Sequence, residues 1–136
     1  MELDEKNTSR DYLYGRLLAI ADYLEERVLR ESKKSRATNA ARYMQRFSQY
    51  PYRTWFLLQN DLLRPYILQL KRKAFFYTNL IEEVGCKFEG NDFKKDTPLS
   101  GEYLIGFYCQ KQSLCNKPKS TSDNSDVNNN KQDSDQ

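Results

Sequence analysis

The hydrophobic positions of this chain recur at helical rather than strand spacing. Leu13, Leu17, Ile20, Leu24 and Val28 follow one another at intervals of four, three, four and four, which lines one face of a helix. Tyr14, Leu18 and Ala21 widen that stripe, so the helix belongs deep in a bundle. Gly15 interrupts it at a cost of about 1 kcal/mol relative to alanine, which a close helix–helix approach would explain. The pattern predicts a helix over about residues 10–31, with Thr8 or Ser9 as cap and Asp11 near its positive end. Residues 31–36 are short, polar and basic, a loop. Thr38 or Asn39 can cap a second helix with Ala40, Tyr43, Met44 and Phe47 inside and Arg42, Gln45, Arg46 and Gln49 outside. Tyr50 and Pro51 end it and open a third, with Trp55, Leu58, Leu62 and Leu63 as its apolar side.

Pro65 either kinks one long helix or starts another, and the kink is the preferred reading. Apolar residues from Ile67 through Leu68, Leu70, Ala74, Phe75, Tyr77, Leu80 and Ile81 extend the pattern to about Val84, with Gly85 placed as a C-cap. Residues 86–96 have no clear period. Thr97 and Pro98 form a cap and first-position pair for a last helix whose face is Tyr103, Leu104, Phe107 and Tyr108, and Gly106 again allows close packing. From Asn116 the chain turns to Ser, Asn, Asp, Lys and Gln, too polar to offset its ordering entropy. The expectation is an all-α bundle of four to five helices over residues 10–115, between a frayed segment 1–9 and a disordered polar tail 116–136.

Charge changes the picture. The stretch 27–73 holds twelve cations against Glu31 and Asp61, a net +10, while the flanks carry −4 and −3, so the overall +3 hides a basic middle. Tyr43, Phe47, Tyr50, Tyr52, Trp55 and Tyr66 are interleaved through it. Such a field attracts polyanions, of which a nucleic-acid backbone is the commonest. It equally fits a solvated helical face whose acidic counterpart lies elsewhere in the fold. Arg42 and Arg46, four apart and alike in charge, repel by a few tenths of a kcal/mol in an isolated helix, an effect a polyanion would reverse.

Catalytic chemistry finds little support. The chain has no histidine, which removes the usual general base, the commonest metal ligand and every Ser/His or Cys/His pairing. Cys86, Cys109 and Cys115 lack metal-ligand spacing and read as buried, inert thiols in a reducing cytoplasm. Glu25–Glu26 and Glu82–Glu83 point about 100° apart on a helix and read as solvated surface. There is no glycine-rich phosphate loop, helix-turn-helix pattern or zinc finger, so contacts to nucleic acid would go mainly to phosphate. Most of the ten tyrosines fall at core spacing, with Tyr50 and Tyr52 the best candidates for stacking on a base. No apolar run approaches the roughly 20 residues that span a bilayer, and the acidic start is no signal peptide. No membrane partner and no cofactor is expected.

Two segments go beyond composition: Tyr12-Leu13-Tyr14-Gly15-Arg16-Leu17-Leu18-Ala19-Ile20-Ala21 and Gly101-Glu102-Tyr103-Leu104-Ile105-Gly106-Phe107-Tyr108-Cys109-Gln110. In order and distance they resemble the C-terminal region of the large subunit of type I-C CRISPR interference complexes. That family carries a Y-L-x-G-R-L-x-A opening to a helix and a closing G-x-F-x-x-G-Y-Y-H-Q segment. The turn Ser48 to Pro51 is similar to the family's Ser- or Thr-containing turn before proline. Tyr103, Phe107 and Cys109 stand where the pattern has phenylalanine, tyrosine and histidine, and the loop before Gly101 is shorter. The resemblance covers about residues 10–115. Because the chain opens with its own methionine just before that region, it looks like the small subunit made separately from an internal start.

The resemblance implies a non-catalytic helical protein, present in more than one copy, cytoplasmic, and assembled with the backbone and large subunits of the complex. It would support the guide RNA–target DNA duplex and the displaced non-target strand, an exchange near energetic balance that backbone contacts can tip. The site residues come from placement in the basic stretch, not from the motif. Arg42, Arg46 and Arg53 form a phosphate-tracking ridge, flanked by Lys33, Lys34, Lys71, Arg72 and Lys73, and Arg16 of the motif is set apart as a candidate structural residue. The rival reading is a helical scaffold whose basic face docks on acidic protein partners.

Overall fold

A computed structural model describes residues 2–116, the side chains of Asp61 and Leu62 excepted; the expected tail lies, from residue 117 on, outside the described residues. The described residues are helix, turn and loop, without a strand among them, as the periodicity predicts. Helix α1 (Arg10–Glu31) is the axis of the bundle, with Leu13, Leu17, Leu18, Ile20 and Leu24 wholly buried. Helix α7 (Glu102–Cys115) runs beside it in the same direction, early residues meeting early and late meeting late.

Two glycines make that contact possible. A Cβ on Gly15 would stand 1.9 Å from the Tyr103 carbonyl oxygen, and one on Gly106 would stand 2.2 Å from that of Tyr12. Backbone therefore touches backbone at both points, which accounts for glycine in mid-helix. Further along, Arg16 Nε donates to Gln110 Oε1 at 2.7 Å, and Lys111 Nζ reaches Asp22 Oδ2 at 2.5 Å and Glu26 Oε2 at 3.2 Å. Both segments that carry the family resemblance are thus two sides of one seam. Over the segment read as frayed, the Asp4 N–H donates to the Tyr12 hydroxyl, and Asn7 and Ser9 both donate to Glu102. Ser9 occupies the cap position without a side-chain cap bond of its own.

Between these helices the chain is more broken than its period suggests. The second expected helix divides at Tyr43 (φ −93°, ψ 7°) into α2 (Asn39–Arg42) and α3 (Met44–Gln49). α2 is anchored on the middle of α1, whereas α3 must reach the Tyr103 hydroxyl, which donates to the Met44 carbonyl at 3.0 Å. Helix α4 (Pro51–Leu58) starts at its proline as expected, and a π turn (Gln59–Leu63) leads directly into α5 (Arg64–Leu70). The chain stays helical through Pro65. The widened turn, closed by the Arg64 N–H on the Gln59 carbonyl, lies just ahead of the ring that would clash with a regular one.

The expected run to Val84 does not survive. Lys71 takes φ 54°, ψ −99°, residues Lys71–Lys73 form a 3₁₀ turn, and α6 (Ala74–Gly85) folds back to place Tyr77 beside Tyr23. A straight helix from Pro51 to Gly85 would be about 52 Å long against about 33 Å for α1, and would overshoot the bundle. The corner leaves Leu68 and Phe75 about three-quarters exposed, although both fit the apolar period. Gly85 ends α6 as its last helical residue, with Cys86 in the cap position.

The last helix begins at Glu102 rather than at Pro98. Arg10 holds the carbonyls of Lys95, Thr97 and Pro98, and Asp11 accepts from the Ser100 N–H, which keeps that segment extended. On α7 the inner face is Tyr103, Gly106, Phe107, Gln110 and Leu114; Leu104 and Tyr108 point outward, contrary to expectation. Of the thiols only Cys109 is buried, and Cys86 and Cys115 are exposed.

Candidate nucleic-acid interface

The basic middle of the chain is fastened to α1 by α1's own acids. Glu25, read from sequence as solvated, is buried: its carboxylate accepts from Asn39 N at 2.7 Å, Asn39 Nδ2 at 2.9 Å and Ala40 N at 3.3 Å. It thereby supplies acceptors to the free N–H groups that open α2, and Arg36 pairs with it at 3.4 Å. Thr38 caps the same turn by accepting from Ala41 N, and donates to Asp22. Glu82 and Glu83 stay exposed, as read. Lys111 is half-buried. Burial works against its charge, but the hydrogen bonds and attraction of Asp22 and Glu26 win, so its pKa is raised.

These anchors set the course of α2, α3 and α4, which carry Arg42, Arg46 and Arg53 outward. Arg42 and Arg46 stay four residues apart along one side despite the break at Tyr43. The bend at Tyr50–Pro51 sets α4 against α3, with Thr54 Oγ1 3.5 Å from the Arg46 carbonyl oxygen, and Arg53 faces the same side as Arg42 and Arg46. Together with Gln45, Gln49 and Tyr50 they line a hollow of about 580 Å³. Three guanidinium groups, two amides and a phenol all offer donors, the chemistry that phosphate oxygens accept.

Asp96 fixes the third arginine. Its Oδ1 accepts from Tyr52 N at 3.0 Å and Arg53 N at 3.3 Å, covering the start of α4, while Oδ2 takes Arg53 Nε at 2.7 Å. The Arg53 side chain remains 70% exposed, and its guanidinium carbon lies 5.0 Å from the centre of the Tyr50 ring. No carboxylate pairs with Arg42 or Arg46 among the described residues. Tyr50 is 44% exposed, whereas Tyr52 is half-buried with its ring edge-on to Phe93 at 5.4 Å. Of the two tyrosines read as stacking candidates, Tyr50 is the more exposed, with Arg53 against its ring, and Tyr52 is partly covered by Phe93.

The flanking cations gather elsewhere. Lys33 and Lys34 close α1: the Lys34 N–H donates to the Leu29 carbonyl at 2.9 Å and the Lys33 N–H to that of Arg30 at 3.1 Å, with Lys33 at φ 58°. This is the left-handed helix end usually given to glycine. Lys73 Nζ lies 3.9 Å from Glu31, which puts the exposed Lys71, Arg72 and Lys73 at the same end of α1. Glu31 is seventeen residues on from Tyr14, where α3 packs through Phe47, about 25 Å along the helix. The eight candidates therefore form two exposed groups, a hollow and a corner, rather than one continuous ridge.

Arg16 is structural in its setting. It is 1% exposed, holds Gln110, and lies 3.5 Å from Glu5, while its Nη1 has no partner among the described residues. Burial pulls its pKa down, opposed by Glu5 and Tyr12. Sequence reasoning also passed over Phe88 and Phe93, which sit in the loop without a period. Both rings close on Tyr14, at 5.0 Å and 5.7 Å, and the Tyr14 hydroxyl donates to the Phe93 carbonyl. Asp96 belongs to the same loop and carries no sequence signal beyond its charge.

Among the described residues no helix is long and apolar enough to cross a membrane, and no cluster of acids or thiols is placed to hold a metal ion. What the geometry defines is a class: a helical bundle with an interior knit by its own acids and an outward hollow of arginines. The chain belongs to the family of the CRISPR-associated protein (Cas_Csd1), whose model matches residues 1–115. The resemblance read from the two motif segments is borne out at that level. No curated protein matches the chain.

Proposed function

We propose that this CRISPR-associated protein is a non-catalytic small subunit of a type I-C interference complex that grips nucleic acid by its backbone. In that role it supports the guide RNA–target DNA duplex and the displaced strand as they exchange. The observation that carries the reading is the convergence of Arg42, Arg46 and Arg53 on one donor-lined hollow in which Arg42 and Arg46 have no acidic partner among the described residues. Such a surface binds by charge and counterion release, without reading bases. The test is the triple variant Arg42→Ala, Arg46→Ala, Arg53→Ala, titrated with DNA over a range of salt. Affinity should fall for every sequence, and the slope of log K against log salt should flatten by about two for a single strand. Unaltered affinity and slope would sink it.

A second reading is favoured for the other cationic group. At the corner, Lys71, Arg72 and Lys73 adjoin the exposed Leu68 and Phe75. Basic and apolar surface together suits an acidic, partly apolar protein partner within the complex better than it suits a phosphate backbone. Charge reversal at Lys71 and Arg72 should then impair assembly while leaving DNA affinity of the free protein in place.

A further inference from the structure

Beside the arginine hollow lies a second one, of about 480 Å³, lined by Arg46, Tyr52, Arg53, Phe56, Leu57 and Asn60. Its chemistry is different. Phe56 is 59% exposed although it sits on a helix whose inner face is Thr54, Trp55 and Leu58. Tyr52 and Leu57 continue the apolar wall, and Asn60 contributes a single amide with both a donor and an acceptor. Arg46 and Arg53 line both hollows and stand on the divide between them.

We infer that this apolar hollow seats an unpaired base of single-stranded DNA whose adjoining phosphate is held by Arg46 and Arg53. The inference rests on the backbone-binding reading above and adds to it the kind of strand. A base inside a duplex is paired and stacked and cannot enter; an unpaired one can turn out of the strand and lie against an aromatic ring. The shared arginines give the charge complementarity that assigns the occupant, since a base never arrives without its phosphate. A wall of Phe56 and Leu57 with one amide favours thymine, whose methyl group makes apolar contact with phenylalanine. Asn60 is then placed to meet the polar edge of the base.

The experiment uses the full chain and three fluorescent probes: an oligo(dT) single strand, an oligo(rU) single strand of equal length, and a DNA duplex. Phe56→Ala and Asn60→Ala are compared with the wild type; both positions are surface-facing or half-exposed, and circular dichroism verifies the fold. Phe56→Ala should weaken oligo(dT) at least about fivefold and leave the duplex unchanged. Asn60→Ala should have a smaller effect of the same selectivity. Equal loss on duplex and single strand, or no loss on either, overturns the inference while the arginine reading stands. Oligo(rU) bound as tightly as oligo(dT), with the same dependence on Phe56, overturns the assignment to DNA. If instead the triple arginine variant binds all three probes like wild type, the backbone reading itself has failed.

Discussion

The seam between α1 and α7 and the hollow on α2–α4 divide the molecule between them. In the seam, backbone meets backbone at Gly15 and Gly106, and Arg16 is buried against Gln110. In the hollow, Arg42 and Arg46 face water with no acid against them among the described residues. The two long motif segments that mark the family form the first region, and Arg42, Arg46 and Arg53 of the candidate binding residues line the second. A recognisable motif here records how two helices must fit, while a binding surface built from charge needs placement more than identity. Arg16 makes the contrast sharp: the one arginine inside the motif is the one least able to reach a strand.

The largest effect should come from the seam. Gly15→Ala ought to gain about 1 kcal/mol of helix propensity, yet its new methyl would stand against the Tyr103 carbonyl. Backbone on both sides cannot yield as a side chain can, so denaturation should show a net loss of at least about 3 kcal/mol. The hollow should behave oppositely. The triple arginine variant loses affinity and salt dependence, as set out above, while its unfolding free energy stays within about 0.5 kcal/mol per site. If that variant unfolds early, the two regions are not separate.

Smaller in size is the Arg16–Gln110 bond. Gln110→Ala leaves a buried guanidinium short of an acceptor and should cost about 1–3 kcal/mol; replacing both by methionine should recover much of it. The buried phenols give a pH test. Burial pushes Tyr77 up to about 12 from 10.0, against the pull of Arg27, and also raises Tyr14 and Tyr103. Above pH 10 the folded chain therefore holds more protons than the unfolded one, and stability should fall as pH rises from about 10 to about 12. A denaturation midpoint that is flat across that window would contradict the burial. Smallest is Lys33→Gly, which should raise stability by up to about 1 kcal/mol by freeing a side chain from φ 58°, without touching oligonucleotide affinity if the hollow is the binding region.

Much of the seam was legible because it depends on period and on glycine. The stripe from Leu13 to Val28 and the close approach at Gly15 and Gly106 follow from spacing and from side-chain size alone. The corner at Lys71 was not, because the residue there is neither glycine nor proline and the apolar period runs on through Leu70 and Ala74. Length decided it: a helix that long has nothing to pack against. Glu25 was misread since a carboxylate next to another looks like surface until the open end of α2 arrives from fourteen residues on. Phe88, Phe93 and Asp96 were invisible as a group, because they act from a loop where no periodicity reports which way a side chain faces. The arginines of the hollow follow from charge and helical phase, but the cover over Tyr52 comes from Phe93 and the distance of the lysine corner from the contact of Lys73 with Glu31, and neither has a periodic signal.

The pairing of the first long helix with the last also governs when the protein can exist. Gly15 and Tyr103 lie far apart in sequence, and at about 5–20 residues per second a ribosome needs several seconds to deliver the second after the first. Through that interval the helix that is most buried in the finished fold lacks the partner that covers it. The seam between α1 and α7 therefore cannot close until α7 has been synthesised, so the contact that completes the core forms late.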